Sequence, residues 1–407
     1  MPTKKSDPSE GNWKVVLSIM FAVQMLSVAG FSCVIPFLPL YVHELGTVTS
    51  MSESLCTALV YSGQAFTMML VSPLWGYLAD KYGRKVMVER ATFGGAIVLL
   101  LMAFPRSAEE LVLLRMLQGA VTGVFGAANA LVAASVPRVK SGFAMGLMQV
   151  SMGLGFALGP LMGGVIADLF DYQSVFYFTS PLLFISGVIV WRFVDEQFVQ
   201  RIPEDKKPDS ILGAWLRVLR TPGVGLLYAL RFINQSGRII YYPILPLFLL
   251  TLIDDQTQIN SYTGIVISVA SASTALFSVV IGRLGDRFNH QPVVYTCLFG
   301  AGLSFLLQSL VQSSWQLIIL QLFYGALLGG VITSISALLA IFTEKGDEGI
   351  VYGIDGSVNA GARMVGPLLG FAISSLLGMR MVFAFAGLLY LAAAVLAFTQ
   401  LPKSRNF

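Results

Sequence analysis

Long apolar runs separated by short polar turns extend over nearly the whole chain. A helix needs about 20 mostly apolar residues to cross a bilayer core of about 30 Å. Twelve such runs lie at residues 14–40, 55–79, 86–104, 109–136, 142–168, 174–194, 223–251, 261–284, 292–312, 315–342, 349–377 and 380–400. The pattern predicts an all-α polytopic membrane protein with twelve transmembrane helices.

One polar stretch, between the sixth and seventh runs, is much longer than the other turns. It divides the chain into a predicted N-terminal six-helix bundle (1–194), a cytoplasmic linker (195–222) and a C-terminal six-helix bundle (223–407). Within the linker we expect a short amphipathic helix on the membrane surface near Ile211–Arg220. The first apolar run is too long for the core of a cleavable signal peptide, so we expect it to span the membrane.

The two predicted bundles repeat one another in sequence. Segments with the same residue pattern recur at a nearly constant offset of 206 or 207 residues: Pro36-Phe-Leu-Pro39 and Pro243-Ile-Leu-Pro246, Gly76-Tyr-Leu-Ala-Asp80 and Gly282-Arg-Leu-Gly-Asp286, Gly159-Pro160 and Gly366-Pro367. Such a repeat predicts two pseudo-symmetric halves, with the substrate site between them near the bilayer midplane.

Composition and charge support this topology and orient it. Only 12% of residues are charged and 56% are hydrophobic, whereas soluble domains carry about 25% charged residues. Of the Lys and Arg residues in the turns or near the ends of the runs, 19 lie on the side of the termini and two, Arg106 and Arg380, on the other. This bias predicts a multi-pass protein of the cell membrane with both termini in the cytoplasm. It also accounts for the net charge of +4 without a nucleic-acid partner.

The residues that would indicate an enzyme or a metal site are missing from the sequence. His43 and His290 are far apart, and the three cysteines form no CxxC pair, so we expect no metal. There is no HExxH motif, no catalytic triad pattern and no nucleotide-binding loop. We therefore expect no enzymatic activity and no cofactor.

A glycine-rich, charged motif follows the second run. It reads Gly76-Tyr-Leu-Ala-Asp80-Lys-Tyr-Gly83-Arg84-Lys85, and Gly83 permits a turn that other residues resist. The motif resembles the loop signature of the major facilitator superfamily, G-x-L-a-D-r-x-G-R-[KR]. The resemblance implies that this loop latches the two halves in the outward-open state. By the repeat we expect Asp355 to face the loop, and we predict an Arg84–Asp355 contact that breaks on switching. The alternative is an Asp355 exposed to water.

The fourth run contains Leu114-Arg115-Met-Leu-Gln118-Gly119, which resembles the fourth-helix signature of the same superfamily. An arginine inside a span is costly and therefore a functional candidate. The resemblance implies a role in proton transfer for Arg115, with Glu89 and Asp355 as further proton-coupling candidates. The alternative for Arg115 is a structural bond to a helix-end carbonyl or to Glu89.

The fifth run carries closely spaced glycines around a proline, in Gly155-Phe-Ala-Leu-Gly159-Pro160-Leu-Met-Gly163-Gly164. Small residues at this spacing allow close helix packing, and the proline removes a backbone donor. The segment resembles the signature that marks antiporters within the superfamily, so these glycines and Pro160 are a predicted hinge. Over the whole chain the resemblance is to twelve-helix drug:proton antiporters of the multidrug and tetracycline type.

Polar and aromatic residues in the runs are candidates for substrate binding. Arg231 and Arg238 lie one above the other on the seventh helix, and Arg363 could join them in a positive cavity. The other candidates are Gln24, Phe31, Phe125, Asn129, Asn234, Gln235, Tyr241, Tyr242 and Tyr324. A mostly apolar cavity with a few polar groups suits amphiphilic organic molecules.

The leading hypothesis is a monomeric, proton-coupled antiporter that exports amphiphilic organic molecules by alternating access. Pumps for cationic drugs often carry a carboxylate deep in the first or fourth span, and this chain carries none there. The alternative is therefore an exporter or flippase of an endogenous anionic amphiphile, such as a lipid precursor, lysolipid or sugar conjugate. A symporter and a non-transporting membrane sensor are further alternatives.

Overall fold

A computed structural model describes residues 9–137, 140–196, 218, 221, 223–253, 256–342 and 348–401, with only the backbone at 9–12, 80, 134, 141, 348–350 and 352. The described α-helices, in chain order, are α1 Ser9–Cys33, α2 Leu38–Leu45, α3 Glu53–Tyr82, α4 Arg84–Leu101, α5 Ala108–Val121, α6 Val124–Ser135, α7 Ser141–Leu169, α8 Tyr172–Phe193, α9 Val224–Ile239, α10 Leu245–Leu250, α11 Ile259–Phe288, α12 His290–Gln308, α13 Ser314–Phe342, α14 Glu348–Leu377 and α15 Met379–Gln400. The predicted linker helix lies outside the described residues, apart from Val218.

These helices form twelve spans. Ten stretches within the described residues are long and apolar enough to cross a bilayer. The other two spans are α4, which begins with the charged sequence Arg84–Arg90, and the seventh span, which is divided into α9 and α10. The twelve-helix prediction is confirmed in outline, with these two spans departing from the simple length and hydropathy pattern.

The first and seventh spans are broken at repeat-related positions. The first consists of α1 and α2, the seventh of α9 and α10, and a proline (Pro39 or Pro246) stands in the first turn of each second helix. Proline starts a helix well but cannot donate the bond needed to continue one, so each span restarts there. The expectation of one continuous helix per run was wrong for these spans.

The fourth span is also broken, between α5 and α6. Thr122 has an extended backbone and Gly123 has a φ of 131°, a region that favours glycine. Two side chains bind the carbonyls freed by the break: the Trp75 indole N–H donates to Ala120 (2.7 Å), and Arg90 donates to Thr122 (3.5 Å). The Arg90 guanidinium also stacks 3.4 Å from the centroid of the Trp75 ring. We call Trp75 and Arg90 the fourth-span clamp.

Each six-helix half has its own apolar core. In the C-terminal half, Tyr241, Phe305, Phe383 and Tyr390 form a continuous aromatic cluster, with neighbouring ring centroids 5.6–6.4 Å apart. The N-terminal half contains two separate apolar clusters, one of which includes Phe37, Tyr41 and Phe176. Between the halves, the main contacts are α7 with α11 and α3 with α14. The space between these two interfaces is where a substrate site can lie.

Candidate functional site

The two halves diverge from one side of the bundle to the other. We define the terminal face as the face of the α3–α4 and α11–α12 turns, and the opposite face as that of the α2–α3 and α10–α11 loops. Near the opposite face, a Cβ on Gly164 of α7 would collide with the Asn260 carbonyl of α11. Further along α7, a Cβ on Gly153 would lie 3.0 Å from the Ala275 methyl group. At Gly146, closer to the terminal face, it would meet no atom within 4 Å.

At the opposite face, the halves are joined by contacts and hydrogen bonds. Helices α2 and α10 touch each other across the interface between the halves. The Asp168 carboxylate at the end of α7 accepts from the backbone N–H groups of Asn260 (3.2 Å) and Ser261 (2.6 Å) in the first turn of α11. It also accepts from the Asn260 side-chain amide at 2.7 Å. A carboxylate at a helix N-terminus satisfies free donors and the helix dipole, so Asp168 fastens one half to the other.

Two arginines of the C-terminal half lie at the centre of this space. Arg238 on α9 lies beside the Tyr242 hydroxyl, and its guanidinium lies 5.5 Å from the Phe156 ring centroid of α7, across the interface. Arg363 on α14 is near enough to Arg238 and Tyr242 to interact with both electrostatically. Both arginines retain partial solvent exposure. Among the described residues, no carboxylate forms an ion pair with either arginine.

A third arginine reaches the same region from the N-terminal half. Arg115 is 3% exposed, donates from Nε to the Val60 carbonyl (3.1 Å) and from Nη1 to Gln118 Oε1 (2.6 Å). It also lies within electrostatic range of Arg363. The guanidinium is therefore held by neutral acceptors, and no carboxylate in the part of the chain that the structure describes forms an ion pair with it.

Arg231, by contrast, is neutralised. Its Nε lies 3.1 Å from Asp355 Oδ1, and its Nη2 donates to Asp355 Oδ2 at 3.2 Å. The Asn359 side-chain amide donates to the same carboxylate at 3.0 Å. The pair joins α9 to α14 within the C-terminal half, and both side chains are largely buried. Glu89, the other described carboxylate lying more than a turn from a helix end, is 3.7 Å from Lys85.

The comparisons with known proteins agree with this architecture. The model of the Major Facilitator Superfamily matches residues 20–250 and 227–406. This chain belongs to the major facilitator superfamily. It is 33% identical, over 97% of both chains, to proteins named multidrug resistance protein MdtG from Salmonella dublin and Salmonella typhimurium.

Solved structures of the superfamily share the fold at low sequence identity. The crystal structure of the human organic anion transporter MFSD10 (TETRAN) has a TM-score of 0.69 and 20% identity, covering 96% of this chain and all of that one. The nucleoside transporter NupG has a TM-score of 0.76 and 14% identity, with the same coverage. At these identities the likeness establishes the major facilitator fold, with twelve helices in two six-helix bundles, and nothing finer.

The predicted latch contact between Arg84 and Asp355 is not formed in this conformation. Asp355 is bound to Arg231 and Asn359 rather than to Arg84, and it is not the water-exposed group of the alternative hypothesis. The side chain of Asp80 lies outside the described residues. The N–H groups of Arg84 and Lys85 instead donate to the Glu196 carboxylate at 3.0 and 2.8 Å, which caps α4. An Arg84–Asp355 contact in a conformation closed at the terminal face stays a prediction.

The glycines of the predicted hinge lie in two interfaces. Gly155, Gly159 and Gly163 face α1 so closely that a Cβ on any of them would collide with its backbone or with Val28. Gly164 faces α11, and the Pro160 carbonyl approaches Gly264 of α11 in the same way. The α7 segment therefore packs against α1 on one face and against α11 of the C-terminal half on the opposite face. Bending at Pro160 stays a prediction.

The structure separates the predicted substrate residues into two groups. Arg238, Arg363 and Tyr242 lie together in the central space, and Gln235 is partly exposed. Tyr241, Tyr324, Asn234 and Gln24 are at most 1% exposed, so in this conformation they have no surface for a substrate. Their polar groups have internal contacts: Tyr241 with Gln321, Tyr324 with Tyr390, Asn234 with Tyr390, and Gln24 with the Met148 carbonyl.

The four remaining candidates have mixed surroundings. Phe31 packs within the N-terminal half, where its ring lies beside Gly95. Phe125 and Asn129 are partly exposed on α6, and the Asn129 Oδ1 atom is buried without a hydrogen-bond partner. Arg231 is bound to Asp355, so its assignment as a substrate contact is not supported in this conformation. For Arg115, the alternative bond to Glu89 was wrong, because Val60 and Gln118 hold the guanidinium.

Several residues with clear structural roles were missed by the sequence reasoning. Phe156 lay inside the glycine motif and was given no role, although it is the aromatic partner of Arg238. Asp168, which binds the first turn of α11, was not singled out. The Trp75–Arg90 clamp could have been suspected, since an arginine in the third apolar run is unusual and needs a partner.

Proposed function

We propose that this chain is a proton-coupled antiporter that exports amphiphilic organic molecules by alternating access. The proposal includes a monomer in the cell membrane with both termini in the cytoplasm, as the Lys and Arg bias indicates. In that orientation the structure is inward-facing, since α7 and α11 meet at the opposite face and diverge toward the terminal face. This divergence around a central polar and aromatic site is the observation that carries the proposal.

The relatives support export as the direction of transport. Proteins 33% identical over nearly the full length are named for multidrug resistance. The fifth span carries the glycine–proline segment that resembles the antiporter signature. A central space that is open to the cytoplasm would load substrate there and release it outside after switching.

We assign the proton to Asp355. A guanidinium stays protonated, so Arg115 cannot itself release a proton at physiological pH. Asp355 is a carboxylate inside a span, and its pair with Arg231 joins α9 to α14. Protonating Asp355 would cancel the attraction that holds these helices together and would free Arg231. Breaking and re-forming the Arg231–Asp355 ion pair is thus a step through which proton binding can shift the balance between conformations.

The experiment that tests the function is a transport assay with a panel of amphiphiles of different charge. Cells that lack other pumps and express this chain should accumulate less of at least one compound. A protonophore should restore accumulation, because it removes the driving force. If every compound accumulates equally with and without the chain in the membrane, export of this class of compounds is ruled out.

Replacing Asp355 by Asn tests the proton assignment. The variant keeps the size of the side chain but cannot bind and release a proton, so we expect loss of proton-driven efflux. Exchange of substrate down its own gradient in proteoliposomes, which needs no proton turnover, should persist. Glu89→Gln is the matched control, since Glu89 is also a carboxylate inside a span but is paired with Lys85. Normal proton-driven efflux by Asp355→Asn would contradict the assignment.

A further inference from the structure

The central space is chemically asymmetric between the two halves. At an offset of 207 residues, Arg238 corresponds to Phe31 and Arg363 corresponds to Phe156. The same two positions of the repeat are therefore aromatic in the N-terminal half and cationic in the C-terminal half. This difference is not required by the fold, because the N-terminal half forms the same pair of helices without either charge.

The two arginines remain without acidic partners at a depth where charge is costly. Glu89 and Asp355, the described carboxylates more than a turn from a helix end, are already paired with Lys85 and Arg231. Arg238 lies beside the neutral Tyr242 hydroxyl and the face of Phe156. Arg363 and Arg238 are close enough to repel each other. A guanidinium inside a membrane protein is normally paired with an anion, and none of the described carboxylates forms an ion pair with either arginine.

We infer that Arg238 and Arg363 form a binding site for the acidic group of an amphiphilic organic anion, whose apolar part packs against Phe156. The inference rests on the proposed function, since it names the substrate class of the same central site. The guanidinium groups match a carboxylate, sulfonate or phosphate in charge and in hydrogen-bond geometry. Phe156 presents an apolar ring beside the charge, so the site suits a ligand with an acidic end and an aromatic or aliphatic body.

The charge balance distinguishes this ligand from a cation. Arg238, Arg363 and the nearby Arg115 already give the site a positive charge that no described carboxylate balances. An organic cation that entered the site would add to this charge. Coulomb repulsion is stronger in a partly buried site than in water, so it would weaken the binding of a cation. An organic anion would instead be attracted to the arginines and would relieve the repulsion between them.

Two dyes with the same ring system test the inference. Carboxyfluorescein is anionic and rhodamine 123 is cationic, and both are built on xanthene. Equilibrium binding of each would be measured by fluorescence anisotropy on the full chain in lipid nanodiscs, without a proton gradient. We expect the anionic dye to bind and the cationic dye to bind at least about tenfold more weakly.

Arginine variants locate the binding. Arg238→Gln and Arg363→Gln should each weaken carboxyfluorescein binding by at least about tenfold, the usual effect of losing one charged hydrogen-bond donor. Arg238→Lys should retain part of the affinity, because it keeps the charge. Arg192→Gln, an exposed arginine at the end of α8, is the control for net charge and should bind as the wild type. Monodispersity of each variant on size exclusion checks folding.

The source of the anion is decided by the lipid. In nanodiscs of zwitterionic lipid alone, and in others containing phosphatidylglycerol, unchanged dye binding would assign the site to a soluble anion. Competition by phosphatidylglycerol would assign the same two arginines to a lipid headgroup. Unchanged anion binding by both Gln variants, or tighter binding of the cationic dye by the wild type, would overturn the inference.

Binding and transport separate this inference from the proposed function. Proton-driven efflux of rhodamine 123 with no binding of carboxyfluorescein would support the antiporter and refute the anion site. Carboxyfluorescein binding that depends on Arg238, with no proton-driven movement of any compound of the amphiphile panel, would support the site and refute the antiporter.

Discussion

The two interfaces between the halves occupy equivalent places in the repeat but are built differently. In the α7–α11 interface, Gly164 and Gly264 bring backbone against backbone near the opposite face. In the α14–α3 interface, the repeat places Phe371 at the position of Gly164 and Ala58 at that of Gly264. A cavity of about 210 Å³, lined in part by Phe371, Ser54 and Ser375, opens on that side.

The hydrogen bonds follow the same difference. Asp168 binds the first turn of α11 through two backbone N–H groups and the Asn260 side chain. The repeat replaces Asp168 by Ser375 and Asn260 by Ser54, and both serines line the cavity instead. One interface is thus tightly packed and fastened by a charge, and the other leaves space. We infer that the α7–α11 interface determines how firmly the opposite face is closed.

The largest expected effect comes from making the tight interface resemble the loose one. Gly164→Phe introduces the residue found at the repeat position, but the side chain would point at the Asn260 carbonyl. Overpacking costs about 1–3 kcal/mol even where neighbours can move, and here the neighbour is backbone. We expect transport to fall at least about tenfold while the protein still inserts, as measured by efflux and by protein level in the membrane.

The control for Gly164→Phe is Val165→Phe, at the neighbouring position of the same helix, where the side chain is 38% exposed. That variant should retain far more transport. If Gly164→Phe transports normally, close packing of α7 on α11 is not needed for the cycle.

An intermediate effect is expected for Asp168→Asn. The change removes the negative charge from the N-terminus of α11 and one acceptor, which is worth about 1–3 kcal/mol for a charge-assisted bond. The ratio of closed to open populations at the opposite face should fall about tenfold for each 1.4 kcal/mol lost. Spin labels at the exposed positions Phe170 and Gln258 would report the distance between the ends of α7 and α11 by double electron–electron resonance. Ser375→Ala is the repeat-related control and should leave this distance distribution unchanged.

The smallest effect is expected for Phe371→Ala. Its side chain already borders a cavity, so truncation enlarges existing space and breaks little packing. We expect efflux within about twofold of the wild type. A loss as large as that of Gly164→Phe would mean that the two interfaces contribute equally, and the comparison drawn above would fail.

Most of the fold could be predicted from the sequence because lipid imposes a simple rule on it. Apolar length sets the spans, and the constant repeat offset sets the two halves, so the twelve-helix bundle followed directly. The paired prolines of the first and seventh spans were visible in the repeat, but the breaks that they cause were not predicted. The division at residues 195 and 222 stays a prediction, since most of the linker lies outside the described residues.

The site was predicted less well, because pairing depends on which helices meet. Arg231 and Arg238 lie on one helix seven residues apart and were treated alike. Tertiary packing gives Arg231 an acid from α14 and gives Arg238 only a hydroxyl and an aromatic ring. Likewise, Asp355 was predicted to contact a loop of the N-terminal half, but it is bound to Arg231 within its own half.

The sequence by itself determined that this chain is a twelve-helix major facilitator protein with a costly excess of arginine in its spans. These properties depend on composition, run length and motif spacing, which are local or periodic along the chain. The tertiary structure decided which arginines are neutralised, which tyrosines are buried and which face of the bundle is closed. Those outcomes depend on distances between residues far apart in the sequence, such as Arg231 and Asp355, which are 124 positions apart. Only the packing of the helices fixes such distances.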